Sequence, residues 1–211
     1  MKLKELESWL QDVQGFSAPR ILLEQYQTPP HIAARVLHTA QASFKDLEGK
    51  MVADLGCGCG MLMLGASLLE AAHVIGVDID EGALEVCQEN LTEAEVDNVE
   101  LIKADVTRMM KDQPRFHKFF DTVLLNPPFG TKHNPGTDVA FLQTALEISH
   151  GAVYSLHKTS TRTHIVKKAG DWGVKAEVLA RLRYDLPNTY KFHKKASVDI
   201  DVDFIRFSRQ K

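Results

Sequence analysis

The stretch that most narrows what this chain can fold into is Val52-Ala53-Asp54-Leu55-Gly56-Cys57-Gly58-Cys59-Gly60, an apolar run entering a turn with glycine at every second position. A helical pattern follows from Met61. Glycines let such a turn take positive φ angles and bring the backbone close to a ligand. A short apolar strand, a glycine turn and a helix make one βα unit, and the rhythm recurs. Apolar runs rich in β-branched and aromatic residues lie at 51–55, 73–78, 99–103, 120–126, 152–157, 176–182 and 198–207, with helical patterns at 61–70, 82–91 and 137–149 among them. Seven strands result. The first five read as repeated βα units in a mostly parallel α/β sheet covered by helices on both faces.

The end of the chain breaks this rhythm. Residues 187–195 carry no crossover-helix pattern, so the last strand is expected to return antiparallel beside the sixth as a long hairpin. In that strand Val198, Ile200, Val202 and Phe204 share one face and Asp199, Asp201 and Asp203 the other. The acidic row is read as a solvated face rather than a metal site. Residues 1–45 supply two helices, at 3–14 and 30–43, the second starting with Pro30 in its first turn and Thr28 as candidate cap. At 211 residues, 44% of them hydrophobic and 25% charged, the chain is long enough for one substantial core, and a single domain 1–211 is expected, with its sheet core at 46–211. No apolar run approaches the roughly 18 residues that span a bilayer, and the start is amphipathic and charged. A soluble, intracellular protein follows. Cys57, Cys59 and Cys87 are an odd count without a second paired cluster, so neither a disulfide framework nor bound metal is expected.

Three acids stand where strands end. Asp54 precedes the glycine turn, Asp78 closes the second strand about 20 residues later, and Asp105 follows the third, next to Val106. A carboxylate at the first position disfavours a pyrophosphate and suits a cationic ligand, such as the amino group of an amino-acid-bearing cofactor. An acid at the second position is placed to hold ribose hydroxyls. The third can accept from an adenine amino group. This combination resembles the class I methyltransferase fold, Rossmann-like, which binds S-adenosylmethionine; the resemblance implies a sheet order 3-2-1-4-5-7-6 with the seventh strand antiparallel.

The fourth strand runs into Asn126-Pro127-Pro128-Phe129. An exocyclic aromatic amine is a poor nucleophile because its lone pair is delocalised into the ring. If its two N–H bonds donate to the Asn126 side-chain oxygen and the Pro127 carbonyl, the nitrogen is drawn towards tetrahedral geometry without a general base. The two prolines stiffen the turn, and Phe129 offers a face for stacking a base. The same motif resembles those of methyltransferases acting on adenine in DNA, on guanine amines and on protein glutamine amides, and a silent binding module that kept the fold is a further reading. Residues 24–33 (EQYQTPPHIA), 126–132 (NPPFGTK), 154–158 (YSLHK) and 190–195 (YKFHKK) together resemble the methyltransferase-like protein 5 family of 18S ribosomal RNA adenine N6 methyltransferases, from about residue 3 to 207. That resemblance implies cofactor contacts at Gln25, Thr28, Asp54, Gly56, Gly58, Cys59, Asp78, Asp105 and Val106, and catalysis at Asn126, Pro127, Pro128 and Phe129.

Residues 1–150 carry 12 Lys and Arg against 22 Asp and Glu, and residues 151–211 carry 13 against 6. A basic end on an acidic body suits a polyanionic partner. Lys191, Phe192, His193, Lys194 and Lys195 interleave rings and cations as a nucleic-acid surface does, and are candidate ribosomal RNA contacts. In the implied sheet order, residues 99–103 form an open edge with apolar side chains, which needs a cover. The resemblance implies a small zinc-binding activator subunit as heterodimer partner, docking along this edge by strand addition. It also implies work in the nucleus and cytoplasm.

Overall fold

Along most of each strand successive side chains alternate between two faces, and that alternation decides which helices lie on which face. In the computed structural model, residues 1–129, 134–187 and 197–209 are described. The sheet contains β1 (Met51–Leu55), β2 (His73–Asp78), β3 (Val99–Lys103), β4 (Phe120–Leu125), β5 (Ser149–Lys158), β6 (Val174–Pro187) and β7 (Ser197–Arg209). Its order is β3-β2-β1-β4-β5-β7-β6, the four pairings from β3 to β5 being parallel and the two of β7 antiparallel. The first three strands have the expected bounds; β5, β6 and β7 run longer than their apolar runs.

Val52, Val74, Leu124, Tyr154 and Phe204 point into one apolar cluster, where they meet α1 (Leu3–Gln11), α2 (Pro30–Phe44), α3 (Met61–Leu68) and α4 (Glu81–Glu93). Their strand neighbours Ala53, Ile75, Val123, Val153 and Ile205 point into the other, which is closed by α5 (Met109–Asp112), α6 (Thr137–Ile148) and α7 (Arg162–Asp171). Leu6, Leu10, Leu37, Leu142 and Ile165 are fully buried between helix and sheet. Each such side chain contributes roughly 1.5 to 3 kcal/mol by leaving water. Among the described residues no helix is long and apolar enough to cross a membrane.

Two local expectations are overturned. Thr28 does not cap α2, whose N-cap residue is Pro29 and makes no side-chain bond; the Thr28 hydroxyl is used in the site below. The acidic row of β7 is not solvated throughout: Asp201 is exposed, but Asp203 is not. Because β7 lies inside the sheet, between β5 and β6, Asp203 is fully buried, and Arg162 at the start of α7 bonds it twice, at 2.6 and 2.7 Å, with Thr159 adding a third bond at 2.9 Å. Burial alone would raise the Asp203 carboxyl; the bonds from Arg162 and Thr159 outweigh it and hold it below the usual value. Asp201 pairs with Arg181 across the β6–β7 ladder.

Candidate active site

At the carboxyl ends of β1, β2 and β4 the parallel strands leave a crevice, the place where open α/β sheets bind ligands. The turn after β1 is fastened to β2, since Gly56 and Cys57 both donate to the Val77 carbonyl, at 2.8 and 3.1 Å. Gly56 and Gly58 have φ of +72° and +54°, which disfavours any residue with a Cβ. At Gly58 an added Cβ would also lie 2.9 Å from the Phe16 ring. Gly58 donates to Asp78 Oδ2 at 2.9 Å, and Asp80 N donates to Oδ1 at 2.9 Å, so the Asp78 carboxylate is aimed by two backbone groups. Burial pushes the Asp78 carboxyl above its ordinary value, those backbone bonds opposing.

A cavity of about 280 Å³ opens beside these groups. Gln25, Gly56, Gly58, Asp78, Asp105 and Val106 line it, as does Asn126. A smaller adjoining space of about 30 Å³ holds Thr28, Asp54 and Cys59. Asp54 is buried and its Oδ2 accepts from Met63 N at 3.0 Å; burial is the main cause that pushes its carboxyl up to about 7. A buried carboxyl in that state is suited to a cation, which would lower it again. Asp105 takes the helix-capping role open to any strand-end acid: its Oδ1 accepts from the Thr107 N–H and hydroxyl at 2.9 and 2.7 Å while the residue still lines the cavity. The apolar flank is supplied by Phe16, Ile79 and Phe141, none marked in the sequence by more than hydrophobicity.

The segment between α1 and α2 straps across this opening. Gln25 donates to Asp80 Oδ2 at 2.8 Å, Arg20 pairs with Asp80 Oδ1 at 2.9 Å, and Asn134 donates to the Leu22 carbonyl at 2.8 Å. The strap carries Tyr26 into the acceptor end. There the Tyr26 hydroxyl lies 3.2 Å from Asn126 Oδ1 and 3.4 Å from the Pro127 carbonyl, while its ring stacks on Phe129 with centroids 5.2 Å apart and planes at 23°. Asn126 Nδ2 donates to the Thr28 hydroxyl at 2.9 Å and to the Tyr184 hydroxyl at 3.0 Å. Pro128 lines the larger cavity, Phe129 is buried, and the Lys158 ammonium stands 5.6 Å from the Phe129 ring centre.

Asn126, Pro127, Pro128 and Phe129 are thus gathered with Thr28 and the cavity-lining residues at one crevice. Lys191, Phe192, His193, Lys194 and Lys195 lie outside the described residues. Tyr26 and Tyr184 acquire roles that the sequence did not assign. Tyr26 sits within a quoted motif, but no spacing rule marks Tyr184, which reaches Asn126 only because β6 folds back beside β7.

The family model for the methyltransferase small domain matches residues 32–165. The chain is 59% identical to the rRNA N(6)-adenosine-methyltransferase METTL5 of Danio rerio, over 99% of each chain. It is 53% identical to the Drosophila melanogaster rRNA N(6)-adenosine-methyltransferase Mettl5, covering 98% of this chain and 96% of that one. A crystal structure of a candidate RNA methyltransferase from Pyrococcus horikoshii superposes with a TM-score of 0.83 at 38% identity, over 99% of this chain and 96% of that one.

Proposed function

Because the chain belongs to the small-domain methyltransferase family, with the class I fold, we propose that it transfers a methyl group from S-adenosylmethionine to N6 of an adenosine in small-subunit (18S) ribosomal RNA. The observation that carries this is the convergence of two acceptors on one donor. The Tyr26 hydroxyl sits within hydrogen-bond distance of both Asn126 Oδ1 and the Pro127 carbonyl, and has one proton to offer them. An exocyclic amine has two. Placed there, with its ring on Phe129 as the Tyr26 ring now is, adenine satisfies both acceptors at once, and Tyr26 gives way to it.

When bound, S-adenosylmethionine supplies a methyl group on a sulfonium centre, open to attack by a nitrogen lone pair. The protein's part is to hold the partners and shape the amine. Asp78 accepts from ribose hydroxyls, the Gly56–Gly58 turn permits close approach of backbone, and Asp54 receives the cationic amino group. Asn126 Oδ1 and the Pro127 carbonyl draw on the two N–H bonds, so the lone pair leaves conjugation with the ring. Phe129 fixes the plane of the base, worth roughly 1 to 3 kcal/mol per stacked base, and alignment of amine and methyl supplies on the order of 7 to 11 kcal/mol.

The names of the relatives support ribosomal RNA as substrate, and the basic residues 191–195 supply cations for its phosphates. A small zinc-binding activator subunit completes the enzyme by adding a strand to β3, which ends the sheet and is half-exposed along its length. Incubating the protein, together with any small partner that co-purifies, with labelled S-adenosylmethionine and separate pools of ribosomal RNA, DNA and protein tests the substrate class. Label recovered as N6-methyladenosine from the small-subunit RNA is the expected result. Label in protein glutamine or in guanine alone would replace it with the alternative acceptors of the same chemistry.

A further inference from the structure

We propose that Tyr184 and Thr28 are positioning residues that lock the Asn126 side-chain amide with its oxygen towards the acceptor amine, an inference that rests on the adenine N6 activity proposed above. A carboxamide has two nearly isosteric orientations, and only one of them works here. With Oδ1 towards the acceptor site, the amide accepts from the substrate N–H; turned over, it would meet one donor with another. The pocket wall supplies the preference. Both Nδ2 protons are used, one by the Thr28 hydroxyl at 2.9 Å and one by the Tyr184 hydroxyl at 3.0 Å.

In the observed orientation the amide finds two acceptors for its two N–H groups, and its oxygen faces the Tyr26 hydroxyl at 3.2 Å. A reversed amide would turn both N–H groups to the acceptor amine, donor against donor, and leave the two hydroxyls with the oxygen alone. Tyr184 is fully buried and Thr28 nearly so, so water cannot readily replace either partner. Burial pushes the Tyr184 hydroxyl well above its ordinary value, so it stays neutral. The Tyr184 ring is itself held edge-on by Tyr26 and Phe129, at 6.0 and 6.3 Å between centroids. Donating from Nδ2 also polarises the amide and makes Oδ1 a stronger acceptor, because hydrogen bonds in a chain reinforce one another.

The three residues come from separate parts of the chain, Thr28 before α2, Asn126 after β4 and Tyr184 on β6. The catalytic amide is thereby tied to the hairpin at the far end of the sheet order.

Single-turnover transfer from labelled S-adenosylmethionine to small-subunit ribosomal RNA is the test, comparing the full-length wild type with Tyr184→Phe and Thr28→Val. Tyr184→Phe keeps the ring and its packing, and is expected to slow methyl transfer about 5- to 20-fold, the equivalent of one lost hydrogen bond and a partly reversed amide. Its KM for RNA and its cofactor dissociation constant should stay within about twofold, a split that a merely structural role would not produce. Thr28→Val should slow the step comparably, and the double variant should lose less than the product of the two, because each single change already breaks the network. If Tyr184→Phe fails to fold, Thr28→Val alone decides. Folded variants that transfer at the wild-type rate would overturn the lock while leaving the function standing; a wild type that methylates no RNA adenine would overturn both.

Discussion

Asn126 spends its two N–H groups on Thr28 and Tyr184 and keeps its oxygen for the acceptor, so truncating it should act on chemistry and not on cofactor binding. Asn126→Ala is expected to lower turnover by about 10² to 10³, as loss of a single preorganised electrostatic partner does, with the cofactor dissociation constant within a few fold. Calorimetry against turnover separates the two, and retention of a tenth of the activity would exclude the mechanism. Asp54 makes a second prediction at this scale. Burial chiefly, with the Asp78 charge adding and the Met63 N–H opposing, raises its carboxyl from 3.8 to about 7. The unfolded chain gives up this proton near pH 4 while the folded chain keeps it until about pH 7. The group's contribution is therefore fully present below about pH 4 and is lost as pH rises through about 7, a change on the order of 4 kcal/mol. In the ligand-free protein Asp54→Asn should leave stability near pH 4 little changed and raise it at pH 7.5. Parallel denaturant-unfolding profiles for the two proteins across that range would show that Asp54 is not the source. These residues were legible to different depths. Asp54, Asp78 and Asn126 stand at strand ends that the βα rhythm marks, whereas Tyr184 sits among the alternating residues of a long strand. Only the fold brings its hydroxyl to Asn126.

At the scale of the element, the strands β1, β2 and β3 were readable to the residue because each is a short apolar run between turns. The helix α7 was not, because its sequence RTHIVKKAGD is mostly polar and only Ile165 and Ala169 are buried. Asp203 of β7 misled for a related reason. Alternation assigns a residue to a face, but whether that face is wet depends on what packs there, and Arg162 covers Asp203. The open edge at β3 yields a sharper prediction than the sequence allowed. The Asn98 carbonyl accepts from Val74 N at 2.9 Å and Ala104 N donates to the Asp78 carbonyl at 2.9 Å. Backbone groups alternate along a strand, so the N–H of Glu100 turns inward to β2 and that of Leu101 turns to the free edge. Leu101→Pro should therefore weaken capture of an edge-docking partner by tenfold or more beyond the effect of Leu101→Ala, which controls for the lost side chain. Glu100→Pro should instead break the ladder to β2 and lower the melting temperature. Co-purification yield and thermal unfolding of the three variants read this out. Equal partner retention by Leu101→Pro and Leu101→Ala would move the partner to another surface.

Across the whole molecule, charge and topology divide along the same line. The acidic residues 1–150 build the half of the sheet that holds the larger cavity, and the basic residues 151–211 build α7 and the β6–β7 hairpin. The topology was readable at this scale because seven strands in a βα rhythm with one hairpin leave few ways to order a sheet. The candidate RNA contacts at 191–195 were readable only as a composition, since a patch of cations does not specify which phosphates it would meet. A polyanion approaching this molecule is drawn to the basic part of the chain and repelled from the acidic one. Each phosphate neutralised releases condensed counterions, and for single-stranded RNA the slope of log affinity against log salt changes by about 0.7 per contact. Replacing Lys194 and Lys195 together by Ala should thus flatten that slope by up to about 1.4 and weaken RNA binding at low salt, with the cofactor dissociation constant unchanged. Titrations at four or five salt concentrations measure it. If the slope stays at the wild-type value while affinity falls, the lysines act through folding or local packing and not on phosphates; if neither changes, the RNA path runs elsewhere over the basic half, and Lys158 beside Phe129 becomes the next residue to replace.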